Sequence, residues 1–253
     1  MASRDEIIGF CDRLLEIDSF EDYCPNGLQV PGGAEVSKLA TAVSANLETI
    51  ERAIAAGAQL VLCHHGLFWD SQERALTVPL AARLRALLGA EVSLAGYHLP
   101  LDAHREIGNN ALLCERLGLL SDPRPFGRAR GAAVGAIGTD EAGIEIGELA
   151  RRTGELVGQE PLVFDSGPSS IHAVGIVSGG GAFAIEEAGS LGLDALITGE
   201  PSEPAMGEAR EHGVHFIAAG HYATETFGIR RLGDLLAERF GDEHEFIDVP
   251  NPV

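Results

Sequence analysis

Lysine is nearly missing from this chain: Lys38 is the only one, and every other base is arginine. Basic residues as a whole are scarce, 18 against 38 acids, for a net charge of −20. That deficit excludes a surface that grips nucleic acid or anionic lipid, since both are held mainly through Lys and Arg. An acid excess of this kind fits a protein adapted to high salt, an acidic proteome in which ions screen self-repulsion. It fits equally a GC-rich genome that favours Arg, Ala and Gly codons. Cysteines are few and far apart, at Cys11, Cys24, Cys63 and Cys114, with no CxxC pair. They spell neither a zinc knuckle nor a disulfide framework. No apolar run approaches the roughly 20 residues a spanning helix needs. The start, MASRDEIIGF, lacks the basic, apolar pattern of a secretory signal, so a cytoplasmic protein is expected.

What the chain does have is apolar substance, 45% of its 253 residues, in short segments of alternating character. Ser3 to Glu6 has capping-box spacing and opens a helix to about Ile17. Strands are predicted at Leu39 to Val43, Gln59 to Cys63 and Glu91 to Ala95, with helices at Glu48 to Ala56, Pro79 to Leu88 and Asn109 to Leu117. Asp122 to Phe126, rich in proline, reads as a linker or lobe boundary. Beyond it, strands are predicted at Ala132 to Ile137, Leu162 to Phe164, His172 to Val177, Asp194 to Thr198 and Val214 to Ala218. Helices are predicted at Ile144 to Arg152, Phe183 to Leu191, Pro204 to Glu211 and Thr224 to Phe240, with an edge strand at Glu245 to Val249. The alternation predicts an α/β protein of two lobes, residues 1–126 and 127–253, with mixed, largely parallel sheets. The C-terminal helix is expected to pack back on the first lobe.

Three segments put metal-type ligands just after strands, where loops of α/β sheets converge. They are Cys63-His64-His65-Gly66, His98 to Asp102, and Gly220-His221 to Glu225. On an extended backbone adjacent side chains point to opposite faces, so the rings of His64 and His65 are expected to diverge and serve different ions. His221 and Glu225 are four apart, on one face of a helix start. Imidazole mixed with carboxylate suits Fe, Zn, Mn or Co without choosing among them. Two such ions about 3.5–4 Å apart form a hydrolytic device in which one activates water and the other polarises the electrophile.

Tyr23 to Val30 (YCPNGLQV), Leu62 to Trp69 (LCHHGLFW), His98 to Asp102, and ITGEPSE followed by FIAAGHYATETFGI resemble the signatures of one family. It is the dinuclear-metal-centre family of GTP cyclohydrolase 1 type 2 homologs, related to the yeast Ngg-one-interacting factor, and the likeness runs from about Ile7 to Leu236. The resemblance implies two divalent metal ions per chain, one held by His64 and His221, the other by His65 and Asp102, with Glu225 bridging. It also implies a cleft between two α/β lobes and a toroidal homohexamer. Gly66 stands where the family often has Pro, and HLPLD replaces the common HTNLD; neither change removes a ligand.

Two functions follow as expectations. One is a metal-dependent hydrolase acting on a C–N or P–O bond of a small molecule, a nucleotide or phosphoester, in the manner of a GTP cyclohydrolase. The other is a non-catalytic metal-binding or regulatory scaffold. Glu200 is a candidate general base or orienting residue, or else a helix N-terminal carboxylate; His98 is a candidate to orient Asp102 or water. Ser178 to Gly181 could cradle phosphate, although a tight turn is the favoured reading. Asn26-Gly27 reads as a turn, Trp69 as packing, and neither His212 nor His215 as a ligand.

Overall fold

The structure is a computed structural model in which residues 2–253 are described. By Cα packing the chain falls into two units, Met1–Leu101 with Gly228–Val249, and Asp102–Phe227 with Pro250–Val253. Residues 102–126 therefore group with the second unit, and the chain returns to the first at Gly228.

The first unit is built on a five-stranded sheet in the order Glu243–Phe246, Lys38–Ser44, Leu60–His65, Ser93–Gly96, Gly27–Val30. The first four run parallel and Gly27–Val30 runs antiparallel. The buried strands are uninterrupted apolar runs, as a sheet covered on both faces requires. Helix Arg4–Leu14 starts with the Glu6 carboxylate accepting from the Ser3 amide at 3.2 Å. It stops short of Ile17 because Glu16 turns left-handed, φ 50°. Helix Leu47–Ala55 is capped by Asn46, whose side chain accepts from the Thr49 amide at 2.8 Å. It lays Ile50 and Ala53 on the core with Val61, Cys63 and Leu94. The strand expected from Glu91 begins at Ser93, because Glu91 also takes positive φ. Strand Gly27–Val30 went unread behind its Asn-Gly turn signal.

The second unit holds a six-stranded sheet in the order Leu162–Phe164, His215–Ala218, Ala195–Thr198, Ile171–Val177, Ala136–Ile144, Leu120–Asp122. Its centre, from His215–Ala218 to Ile171–Val177, is parallel and its flanks are antiparallel. The proline-rich stretch is not a linker. It continues an edge strand, and Phe126 at its end is wholly buried, its ring packed against Gly175. Strand Ala136–Ile144 outruns its expected end, so the next helix spans Ile146–Val157. The helix expected from Thr224 is two pieces, a turn at His221–Thr224 and the helix Thr226–Phe240. Both sheets are mixed and parallel at their centres, an α/β fold. Among the described residues no helix is long and apolar enough to cross a membrane.

Candidate metal centre

In the first unit, His64 and His65 are the last two residues of strand Leu60–His65, flanked on both sides by parallel strands. His64 is buried, and its Nδ1 lies 3.0 Å from the carbonyl oxygen of Tyr97. A carbonyl only accepts, so Nδ1 carries the proton and Nε2 keeps the lone pair a metal needs. His65 Nδ1 lies 3.2 Å from the Ser44 hydroxyl on the neighbouring strand. The two rings do not diverge as expected; their centroids are 4.8 Å apart. Each ring is drawn to an anchor beside the strand end, one to Tyr97 and one to Ser44, and the pleat no longer sets their directions. The His98 ring joins them at 5.1 Å and 5.6 Å. One donor atom from each of the three histidines falls within 4.8 Å of the others, a group able to hold a metal ion.

The surroundings of this triad are specific. Trp69 stands edge-on to His98 at 5.2 Å and donates its indole N–H to the Gly66 carbonyl at 3.3 Å. Gly66 has a reason to lack a side chain: a Cβ there would strike the Gln29 amide, whose oxygen accepts from the Leu67 amide at 2.7 Å. Cys63 points into the core, as its strand position predicts, and burial pushes its thiol up to about 12. Asp22, Cys24 and His98 form a second group with metal-type donors within 4.8 Å.

In the second unit, three adjacent parallel strands run out into glycine-bearing ends, at Gly179, Gly199 and Gly220. The Gly199 amide donates to the Gly179 carbonyl at 2.9 Å, and the Gly220 amide to the Gly199 carbonyl at 2.7 Å. A Cβ on Gly199 would sit 2.6 Å from both the Gly179 oxygen and the His221 Cα. Only glycine allows these loops to close so tightly. The close approach places His221 and Glu225 on the next turn, with His221 Nε2 3.2 Å from Glu225 Oε2. Gly179, at φ +61°, presses its backbone on both side chains. Glu225 is buried; Glu200 lies on the other side of the ring, its Oε1 3.3 Å from His221 Nδ1. Burial works against a charged imidazole here, but the carboxylates of Glu225 and Glu200 outweigh it and hold His221 up at about 9. Glu200 thus stands beside the His221 ring. It caps no helix at its own position, since the following helix begins at Ala205.

Asp102 belongs to the same unit and is buried. Its Oδ1 accepts from Asn109 Nδ2 at 2.8 Å and from the Ser178 hydroxyl at 3.2 Å. Ser178 and Gly179, neighbours in sequence, therefore touch Asp102 on one side and the His221–Glu225 pair on the other. The Ser178-Gly-Gly-Gly181 turn is no phosphate cradle. Its Ser178, Gly179 and Gly181 amides already donate to Asn110, Thr224 and Thr198. Asp102 also lines a cavity of about 760 Å³ together with His104, Arg105 and Arg124. His215 is structural: its Nδ1 accepts from the Gly167 amide and its Nε2 donates to the Pro168 carbonyl. Asn109 and Thr224 escaped the sequence reading, and Ser178 and Gly179 were read only as a turn or phosphate loop, because nothing in a lone Asn, Thr, Ser or Gly marks it as supporting a ligand.

The donor chemistry of both sets, clustered imidazole in one and carboxylate with imidazole in the other, fits a divalent ion. Residues 2–252 match the family model described as Duf34/NIF3 (NGG1p interacting factor 3). The chain belongs to the Duf34/NIF3 family. It is 41% identical to a Pseudomonas aeruginosa protein named GTP cyclohydrolase 1 type 2 homolog, over 96% of this chain and 95% of that one. Among solved structures, it superposes on a structural-genomics protein, ybgI, of unknown function, with TM-score 0.93, 38% identity and full coverage of both chains. It also superposes on TTHA1606 from Thermus thermophilus, with TM-score 0.90, 34% identity and full coverage of both. These Duf34/NIF3 likenesses span the chain end to end, both donor sets included.

Proposed function

We propose that this Duf34/NIF3 chain binds two divalent metal ions through His64, His65, Asp102, His221 and Glu225, and uses them as a hydrolase on a C–N or P–O bond. The observation that carries the reading is that four of these donors are each held by a partner that suits ligation. The Tyr97 carbonyl fixes the tautomer of His64, Ser44 anchors His65, Glu200 orients His221, and Asn109 with Ser178 steady Asp102. Divalent ions supply Lewis acidity, polarising an electrophile and acidifying water. The residues of the chain supply orientation. The cavity beside Asp102 favours a hydrolase over a scaffold, because a small molecule has room to reach that ligand. Its wall sets His104 and Arg105 beside Glu106, Glu115 and Asp122, and Asp122 pairs with Arg124 at 2.9 Å, so the wall charge by itself selects no substrate. The name GTP cyclohydrolase 1 type 2 homolog, carried by the relatives, makes GTP the first compound to try.

Elemental analysis of protein purified without chelators, beside His65→Ala and Glu225→Ala, tests the metal claim. Two ions per chain, reduced in both variants, is the expected result; no stoichiometric metal after reconstitution with Fe(II), Mn or Zn would refute it. Release of formate or phosphate from GTP, and hydrolysis of phosphoesters and cyclic amides, tests the reaction. Turnover that needs metal and vanishes in Glu225→Ala is expected, whereas bound metal without any turnover would return the chain to a scaffold. A cytoplasmic homohexamer completes the proposal. Leu76, Val78 and Leu88, exposed on and before one helix, give apolar surface for self-association, and light scattering reads the mass directly.

A further inference from the structure

His98 is anchored unlike the other two rings of its cluster. Its Nδ1 lies 2.7 Å from Asp22 Oδ1, and the Asp22 side chain is only 2% exposed. The same carboxylate accepts from the Tyr23 amide at 2.6 Å, from Asn26 Nδ2 at 2.9 Å and from the Leu99 amide at 3.0 Å. Asn26 in turn accepts from the His98 amide at 2.8 Å. One short segment, 22–26, therefore clamps both the ring and the backbone of His98. Tyr23 and Trp69 wall the ring at 6.3 Å and 5.2 Å. The side chain stays 13% exposed, so the ring is not sealed in.

An ionised carboxylate only accepts, so Nδ1 of His98 donates, and in the neutral ring Nε2 holds the lone pair. A carboxylate behind an imidazole makes the far nitrogen a better acceptor than a carbonyl does, and fixes its direction. A histidine that merely packs needs no buried carboxylate, itself steadied by three further donors. We propose that Asp22, with Asn26, is a positioning residue for His98. It holds Nε2 as an acceptor for an O–H or N–H of the small molecule engaged at the His64–His65 pair. This rests on the metal reading for its ligand, but the clamp on the ring does not.

The test uses the full chain labelled with ¹⁵N-histidine. In protein stripped of metal, long-range proton–nitrogen spectra are expected to show His98 as the Nδ1–H tautomer. Asp22→Ala should mix the two tautomers, and Asp22→Asn, which keeps an oxygen acceptor, should restore the first. Zinc-loaded protein is then titrated with inorganic phosphate, whose monoprotonated form carries one O–H. His98→Ala is expected to weaken phosphate about 3- to 10-fold, the worth of one hydrogen bond, with zinc content unchanged. An Nε2–H tautomer in the wild type, or Asp22→Ala leaving the tautomer unmoved in folded protein, overturns the positioning role. Failure of phosphate to bind, equal affinity in His98→Ala, or zinc lost with that variant overturns the acceptor role. Absence of zinc from the wild type would refute the metal reading alone, since the tautomer arm needs no metal.

Discussion

The two donor sets reach similar chemistry by opposite means. In the first unit His64 and His65 sit on a regular strand, and hydrogen bonds to neighbouring segments anchor both rings, the Tyr97 carbonyl also setting the Nδ1–H of His64. In the second, glycines at three strand ends remove every obstacle to close packing, and His221 is held between carboxylates. The first set is imidazole-rich. The second brings the negative charge a divalent ion needs, together with a ring that carries a proton until a metal arrives. The contrast teaches that a ligand can be fixed by adding partners or by deleting side chains, and the two strategies fail differently when mutated.

Gly179→Ala should show the largest effect. The new Cβ meets Glu225 and His221 in a backbone conformation that disfavours a side chain. A loss of about 3 kcal/mol is expected in denaturant unfolding, with the second-unit donors disordered. Retained stability would mean that the loops yield more easily than their packing suggests. Asp102→Ala comes next. It strands buried donors on Asn109 and Ser178, and about 2 kcal/mol should be lost even in protein stripped of metal. His64→Ala leaves the Tyr97 carbonyl without this donor, so about 1 kcal/mol is expected, with metal affinity falling much further than stability. Comparable losses of both would show that the ring serves the fold first.

The pH dependence of stripped protein is the subtlest test. His221 rises from 6.5 to about 9 on folding, so its contribution is full below 6.5 and disappears as pH climbs through 9. Asp22 behaves in the opposite sense. Burial would raise it, yet hydrogen bonds from His98, Asn26 and the Tyr23 amide hold it below its ordinary 3.8. Its contribution is present above that value and is lost as acid protonates it. Hydrogen exchange should therefore loosen the second unit on the alkaline side and the first on the acid side. Loosening of both together would erase the contrast.

Much of this was legible in the residues. The strands at Leu60–His65, Ala195–Thr198 and His215–Ala218 declare themselves as short apolar runs, and the ligand types stand at or just past strand ends. The Duf34/NIF3 motifs were readable at the level of family. What hid was whatever depends on a partner distant in sequence. Phe126 looked like loop because prolines surround it, although its ring is core. The rings of His64 and His65 approach each other because Tyr97 and Ser44 pull on them, which no strand periodicity encodes. Asp22 resembles any surface acid until His98, 76 positions away, is seen beside it.

The first sheet also carries a consequence for synthesis. Its edge strand Glu243–Phe246 pairs in parallel with Lys38–Ser44, tied by Lys38 to Glu245 at 2.7 Å and by Thr41 to His244 at 2.8 Å. A ribosome makes Lys38 more than two hundred residues before it makes Glu245. The nascent chain must therefore hold an incomplete sheet, one edge bare, while residues 102–227, the bulk of the second unit, emerge. That order makes the second unit the earlier to mature and the first the natural client of a chaperone. A stop codon just before Glu243 would leave Lys38–Ser44 as an open edge, primed to pair with the wrong neighbour.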